Sequence, residues 1–357
     1  MGTPVVRAQL IYNPAAGQIQ VRRDLEQAVA YLEEHGWQVS WRETHGPSDG
    51  TTYAREAVAS GCQVAIAVGG DGTVGEVADG LVGSQTALGV LPAGTSNVWA
   101  KEMGIPSASY LLHPQVRASL GFGAPWLLPA AELLVHGRRA RVDVGRVNQR
   151  HFLMWAGVGL DARITEEVEQ HPEVKRQLGR LAFIMAALYI GRDYRGVRAH
   201  VRVGKAWLTR RIIMAVVSNI QLYGGVVRIS PLAQLDDGLL DACIFQGQGL
   251  VSTVRHLASV FAQQHLRDPE VSTYELQHME IHPARPLPIH ADGDFIGYTP
   301  AVIDVVPKAL DVLLPASAPA RLFHPEDGAP GSAEPTGLLE WLGNFAPYTP
   351  RKWIKRP

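Results

Sequence analysis

The chain has 357 residues, 46% hydrophobic and 19% charged, and its 33 Lys and Arg against 34 Asp and Glu leave a formal charge of -1. At about 150 residues per domain this length accommodates roughly two domains, and so even a balance excludes a protein that holds nucleic acid by bulk positive charge. Two cysteines, Cys62 and Cys243, with no CxxC pair, exclude a disulfide framework or a cysteine zinc site.

The chain opens on an apolar strand at 5–11 without the features of a secretory signal, so it reads as unsecreted and cytoplasmic. Strands at 5–11, 38–41, 63–68 and 87–91 alternate with helices at 21–35, 51–59, 74–81 and 98–103. That alternation predicts a doubly wound parallel sheet, with ligand sites at the carboxyl ends of its strands. Beyond about residue 125, short strands at 132–135, 139–144, 152–156, 199–203, 210–217, 239–245, 273–281 and 301–306 predict an antiparallel β-sandwich. Helical inserts at 162–190 and 250–264 interrupt it. The apolar stretch at 178–190 carries Arg180 and is shorter than the ~20 residues that cross a bilayer. Residues 316–337, rich in Pro, Ala, Ser and Gly, read as a linker. The tail at 338–357 interleaves Trp341, Phe345, Tyr348 and Trp353 with Arg351, Lys352, Lys355 and Arg356, which suits an anionic membrane surface or docking on the second domain.

The most informative stretch runs from the strand at 63–68 through Gly69, Gly70, Asp71 and Gly72 into a helix with Thr73, Val74, Gly75 and Glu76. Glycines let backbone N–H groups converge without Cβ obstruction, and a helix N-terminus favours an anion, so phosphate is the expected guest. Thr73 and Glu76 have capping-box spacing, so they either cap that helix or touch the ligand. Asp71 would repel a polyphosphate unless a divalent cation such as Mg²⁺ lay between them; an Asx-turn role is the plain alternative. The G-x-G-x-x-G match at 70–75 lacks the ribose-binding acid of a dinucleotide site, and no Walker A loop exists. Two more small polar loops, Asn13-Pro14-Ala15-Ala16-Gly17 and Pro92-Ala-Gly-Thr95-Ser-Asn97, follow strands of the same sheet, each a turn or cap when taken singly.

The ordered set GGDGT, NPAAG and PAGTSN is similar to the diacylglycerol kinase catalytic family, which includes soluble bacterial lipid kinases and the sphingosine and ceramide kinases. The similarity continues through Gly157-Val-Gly-Leu-Asp161, Asn219, Tyr223-Gly-Gly225, the 231–241 segment and Asp292-Gly-Asp294, covering about 5–314. It implies an ATP- and Mg²⁺-dependent kinase acting on a lipid hydroxyl at a membrane surface, cytoplasmic and peripheral on the inner face. Its expected domains are 1–125 for nucleotide, 126–315 for lipid and metal, and 316–357 as linker and basic tail.

The resemblance implies that Asn13 to Gly17, Thr44, Gly69 to Gly75 and Thr95 line the ATP site, with Glu76 and Asn97 beside them. It places a structural Mg²⁺ at Asp237, the Leu239 carbonyl and Gln234, with Asp161 and Asp71 extending an acidic network, and the general base at Asp294 or, because an Asp there has a shorter reach than Glu, at Asp71. A general base must lie within hydrogen-bond reach of the proton it takes. The family usually carries Asn at Gly75, often Glu at Asp294, and often an acid at Gln234. A kinase of soluble NAD and a catalytically silent lipid or nucleotide binder are the alternatives; the first lacks a TPTGST-like substrate motif here. The lipid chains are expected in an apolar cleft of the second domain, along a helix with Phe183, Met185, Leu188 and Tyr189. Whether the chain pairs as a homodimer is left open.

Overall fold

The computed structural model describes residues 5–16, 21–107, 127–170, 190 and 194–324. Gly17, the 125/126 boundary, the stretch with Phe183, Met185, Leu188 and Tyr189, and the 338–357 tail lie outside the described residues. Among the described residues no helix is long and apolar enough to cross a membrane.

In the N-terminal half, β1 (Val6–Tyr12), β2 (Trp37–Glu43), β3 (Val64–Gly69) and β4 (Ala87–Pro92) form a parallel sheet in the order β4-β3-β1-β2. Every residue of β3 and β4 is buried, so these strands are unbroken apolar runs rather than alternating ones. The helices are α1 (Val21–Glu34), α2 (Asp49–Ala59), α3 (Asp71–Leu81) and α4 (Val98–Met103). α1 buries Val21, Leu25, Ala28, Val29 and Leu32, the inward stripe that its 3.6-residue period dictates.

Next comes α5 (Leu128–His136), where the sequence predicts a strand at 132–135. Leu127, Ala130, Ala131 and Leu134 are the buried positions, and Pro129 stands in the first turn; that is helical spacing, and the apolar Leu-Leu-Val run concealed it.

The C-terminal half contains β5 (Arg138–Val147), β6 (Arg150–Phe152), β7 (Trp155–Gly159), α6 (Leu160–Gln170), β8 (Val197–Val203), β9 (Ala206–Ser218), β10 (Leu222–Tyr223), β11 (Val227–Arg228) and β12 (Leu240–Gln246). It is completed by α7 (Gly249–Phe261), β13 (Val271–Leu276), β14 (His278–Pro283), β15 (Pro288–Ala291), β16 (Asp294–Tyr298) and β17 (Ala301–Leu314). Its strands pair antiparallel in the order β16-β15-β7-β9-β8-β14-β17, enclosing a second core around Val201, Ile212, Val217, Met279 and Ile303. The expected class, a doubly wound α/β half followed by an antiparallel β-sandwich, is the one observed.

β17 joins the halves. Its first residues pair with β14 and β5, and after a bulge around Lys308 (φ 46°) it continues along β5 and reaches β4 at Val312, opposite Leu88. The predicted strand at 273–281 is two strands, because the chain changes partners at Gln277, from β12 to β8 and β17. The predicted linker is packed at its start: Leu322 and Phe323 are buried in the core, and the His324 amide donates to Asp236 Oδ1 at 2.7 Å.

Candidate active site

Three loops meet at the carboxyl ends of β1, β3 and β4. Gly70 precedes α3 in an extended conformation with no side-chain cap, so Thr73 and Glu76 do not form a capping box. Thr73 Oγ1 instead accepts from Asn13 Nδ2 at 3.2 Å, tying the first loop to the second, while Asn13 Oδ1 accepts from the Ala15 amide at 2.9 Å. Asn97, in the left-handed region at φ 45°, accepts from the Gly94 amide at 3.0 Å and donates to the Gly94 carbonyl at 2.7 Å, closing the third loop on itself.

The second and third loops touch backbone to backbone. A Cβ on Gly94 would lie 2.4 Å from Gly70 Cα and 2.9 Å from Asn97 Oδ1. Gly94→Ala therefore forces the loops apart, at an expected cost of about 1–3 kcal/mol in stability and with a matching loss of nucleotide affinity. Thermal unfolding and an ATP titration read both; an unchanged melting temperature contradicts the close approach.

The acids of the glycine loop serve neighbouring helices. Asp71 Oδ1 accepts from the Trp99 amide at 3.2 Å, at the start of α4. Burial pushes the Asp71 carboxyl up, opposed by the Trp99 and Val98 amides and by Lys101. The repulsion expected of an acid among phosphate-binding amides is thus answered in part by a second helix N-terminus. Glu76 does the same for α2, accepting from the amides of Ser48 at 2.8 Å and Gly50 at 3.0 Å.

Opposite lies the hairpin of β15 and β16, whose two-residue turn, Asp292-Gly293, has φ of 51° and 91°, the type I′ geometry that suits strand twist. Asp292 is buried and accepts from three successive amides, Leu153 at 2.7 Å, Met154 at 2.8 Å and Trp155 at 3.1 Å. Gly75 makes room for it: a Cβ there would lie 3.1 Å from Asp292 Oδ2. Asp294 reaches across toward the glycine loop, where a Cβ on Gly72 would lie 3.4 Å from its Oδ1, and Arg150 stands 3.7 Å from its Oδ2.

Asp161, at the start of α6, joins this group. Its Oδ2 lies 2.6 Å from His290 Nε2 and its Oδ1 accepts from the Tyr223 hydroxyl. Burial pushes Asp161 up, but His290 and Tyr223 together hold it below the ordinary carboxylate range. The Gly293 amide donates to His290 Nδ1 at 3.3 Å, which leaves Nε2–H to face Asp161. Sequence reasoning missed His290, because nothing in a strand residue announces a partner 129 positions away.

The expected metal residues therefore separate into two places. Asp161 belongs to the His290 cluster, whereas Asp237 accepts from its own loop at the Leu239 amide, 3.0 Å, and is pushed up to about 6 by burial and by Asp143, Glu275 and Asp236. Gln234 and Leu239 lie in the Asp237 loop, away from Asp161 in the chain. Among the described residues no three His, Cys, Asp or Glu side chains gather as a metal cage. Magnesium is commonly held by one or two carboxylates with substrate phosphates, and the oxygen-only donors here suit that sharing.

Both halves line one cavity of about 610 Å³. Asn13, Ala15, Ala16, Gly70, Asp71, Gly72, Thr73 and Thr95 line its polar end with Asp161, His290, Asp292 and Asp294, and Ser96 adds a residue the sequence reading omitted. Pro14, Thr44, Gly69, Val74, Gly75, Glu76 and Asn97 are not in its lining; Thr44 is buried behind, its amide bonded to the Tyr12 carbonyl at 2.8 Å. The rest of its lining is mostly apolar, with Leu160, Ile164, Ile213, Met214, Phe245, Leu257 and Phe261 and, among them, Thr165, Thr253 and His256.

A glycine-rich anion cradle facing carboxylates across a cleft between an α/β half and a β-sandwich defines a phosphotransferase. The sequence matches the diacylglycerol kinase catalytic domain over residues 7–147 and the YegS C-terminal NAD kinase beta sandwich-like domain over 155–314. It is 26% identical over 318 residues to the diacylglycerol kinase of Bacillus subtilis (strain 168), covering 88% of this chain and 99% of that one. It is 24% identical over 312 residues to that of Staphylococcus carnosus (strain TM300), covering 87% and 95%. A diacylglycerol kinase crystal structure from Bacillus anthracis str. Sterne shares the fold, with TM-score 0.64 at 19% identity over 88% of this chain and 98% of that one. The chain thus carries a diacylglycerol kinase catalytic domain followed by a YegS-type C-terminal sandwich domain, and it is a phosphotransferase with an alcohol group as acceptor.

Proposed function

We propose that the protein transfers the γ-phosphoryl group of ATP to the primary hydroxyl of a membrane lipid such as diacylglycerol, giving a product such as phosphatidic acid. The observation that carries this reading is the continuity of the cavity: its polar end has the amides and carboxylates of a phosphoryl-transfer site, and its other end is a mostly apolar sleeve. A soluble nucleotide acceptor would set most of its polar groups against Leu160, Ile164, Ile213, Met214, Phe245 and Leu257, with only Thr165, Thr253 and His256 among them to pair with.

In this reading the loops at Asn13, Gly70 and Thr95 hold the triphosphate, and residues 1–125 form the nucleotide unit, 126–315 the lipid and metal unit, and 316–357 the tail. Asp71, beside the glycine loop, would share with the phosphates a Mg²⁺ that neutralises their charge, whereas the Asp237 loop, outside the cavity lining, would hold a separate structural ion. Asp294 takes the proton of the acceptor hydroxyl, the hydroxyl oxygen forms the new bond to the γ-phosphorus, and the bond to the ADP oxygen breaks. His290 and Tyr223 hold Asp161 in place at the mouth of the sleeve.

Purified protein with labelled ATP and Mg²⁺ is offered dioleoylglycerol micelles, sphingosine and NAD in parallel. Label is expected in an organic-extractable lipid; label in NAD alone, or ATP binding with no product, overturns the reading.

A further inference from the structure

α7 has an inner and an outer side. Its inner side, with Thr253, His256, Leu257, Val260 and Phe261, lines the cavity. Its outer side exposes Leu250, Val251, Val254 and Phe261, Val251 at 83% and Phe261 at 51%. A helix of a globular protein normally turns charged residues outward on that face, and single exposed apolar residues are ordinary whereas a contiguous row marks an interaction surface. Phe261 belongs to both sides, so the outer face and the cavity lining meet at the end of the helix.

Exposed arginines cluster at the other end. The Gly249 amide donates to the Tyr194 carbonyl at 2.9 Å, bringing the start of α7 against the segment that precedes β8. Arg211 donates to the Gly196 carbonyl at 3.2 Å and to Gln248 Oε1 at 3.4 Å, and Arg285 donates to the Arg195 carbonyl at 3.1 Å. Arg195, Arg211 and Arg285 are exposed, and none of the three is within salt-bridge distance of a carboxylate among the described residues. Arg255, farther along the helix, is by contrast neutralised by Asp268 and Glu270.

We propose that the outer face of α7, with Arg195, Arg211 and Arg285, docks the protein on an anionic lipid bilayer and opens the mostly apolar part of the cavity to lipid drawn from it. An apolar helix face beside unneutralised arginines is the chemistry of a helix lying in a bilayer interface, apolar residues among the acyl chains and cations among the phosphates. A protein partner would be served by the apolar row alone; the adjoining basic cluster and the continuity with the mostly apolar part of the cavity select the bilayer. The inference rests on the lipid-kinase reading for the cargo, while the docking surface is tested without any reaction.

The full chain is sedimented with phosphatidylcholine vesicles, with and without phosphatidylglycerol, in the absence of ATP. The wild type should bind the anionic vesicles. The double variant Val251→Asp with Val254→Asp should lower that binding at least about tenfold, and Arg195→Glu with Arg285→Glu should remove the preference for phosphatidylglycerol. Both variants should phosphorylate dispersed dioctanoylglycerol at the wild-type rate, which also certifies their folding. Binding unchanged by both pairs overturns the proposal, as does light scattering in which Val251→Asp with Val254→Asp splits a dimer while vesicle binding persists. Vesicle binding that depends on α7 in a protein that phosphorylates no lipid leaves the docking surface standing and sinks the kinase reading instead.

Discussion

Asp294→Asn is expected to lower kcat for lipid phosphorylation by about 10²–10⁴-fold, the usual contribution of a positioned general base, while leaving the affinity for ATP within a few-fold. The carboxylate stands across the cleft from Gly72 with its side chain 41% accessible, near enough to the glycine loop to meet a hydroxyl approaching the γ-phosphate. An amide of the same shape cannot accept the proton. Arg150 loses an anionic neighbour but keeps Asp79, 3.8 Å away, so the fold should be undisturbed. Steady-state kinetics with an ATP titration separate the two effects; turnover near the wild-type rate would move the proton to another acceptor, with Asp71 the next carboxylate on the cavity wall.

The largest effect on stability is expected at Asp292. Asp292→Ala removes the acceptor of three buried amides, and each amide left unpaired costs about 1–3 kcal/mol. The alanine must also adopt φ 51°, which only glycine and a few polar residues tolerate. Water entering from the cleft offsets part of this, so a net loss of about 3–5 kcal/mol is expected, with a fall in Tm of order 10 °C. The pH dependence has a definite sign. Burial pushes Asp292 up to about 6, against the pull of the three amides, whereas an unfolded Asp titrates at about 3.9. Between about pH 4 and 6 the native state binds the extra proton, so this group's contribution to stability declines as pH rises through that window. The deficit of the alanine variant should therefore be larger at pH 4 than at pH 7. Unfolding curves of both proteins at the two values test this, and a deficit that widens with pH would contradict the assignment.

The residues around these two acids separate what a sequence can disclose from what it cannot. The glycine loop was legible because a strand, three glycines and a helix start are a local pattern with one physical use. The Asp-Gly pair at 292–293 was equally local, a type I′ hairpin signal flanked by apolar residues, yet the short runs on either side, β15 and β16, are not among the predicted strands. The roles of Asp71 and Glu76 were illegible for a different reason. The spacing of Glu76 with Thr73 suggested a cap on their own helix and Asp71 suggested a cation or an Asx turn, but both carboxylates reach other helices, α2 and α4, and only tertiary packing selects those partners. The pairing of Asp161 with His290 is of the same kind, as is the apolar sleeve, whose walls come from α6, β9, β12 and α7. Helix α5 shows the opposite limit: a short apolar run fits strand and helix alike, and burial at Leu127, Ala130, Ala131 and Leu134 decided it.

β17 has a bearing on how substrates come and go. One strand laddered to β14 and β5 and bridged to β4 at Val312 and Leu88 makes a seam, and swinging the halves apart like jaws would break that bridge. In the proposed lipid-kinase reading the triphosphate would enter over the rim formed by the Asn13 and Thr95 loops and the greasy acceptor past the end of α7. The two co-substrates would use separate portals, so neither needs to wait for the other to leave.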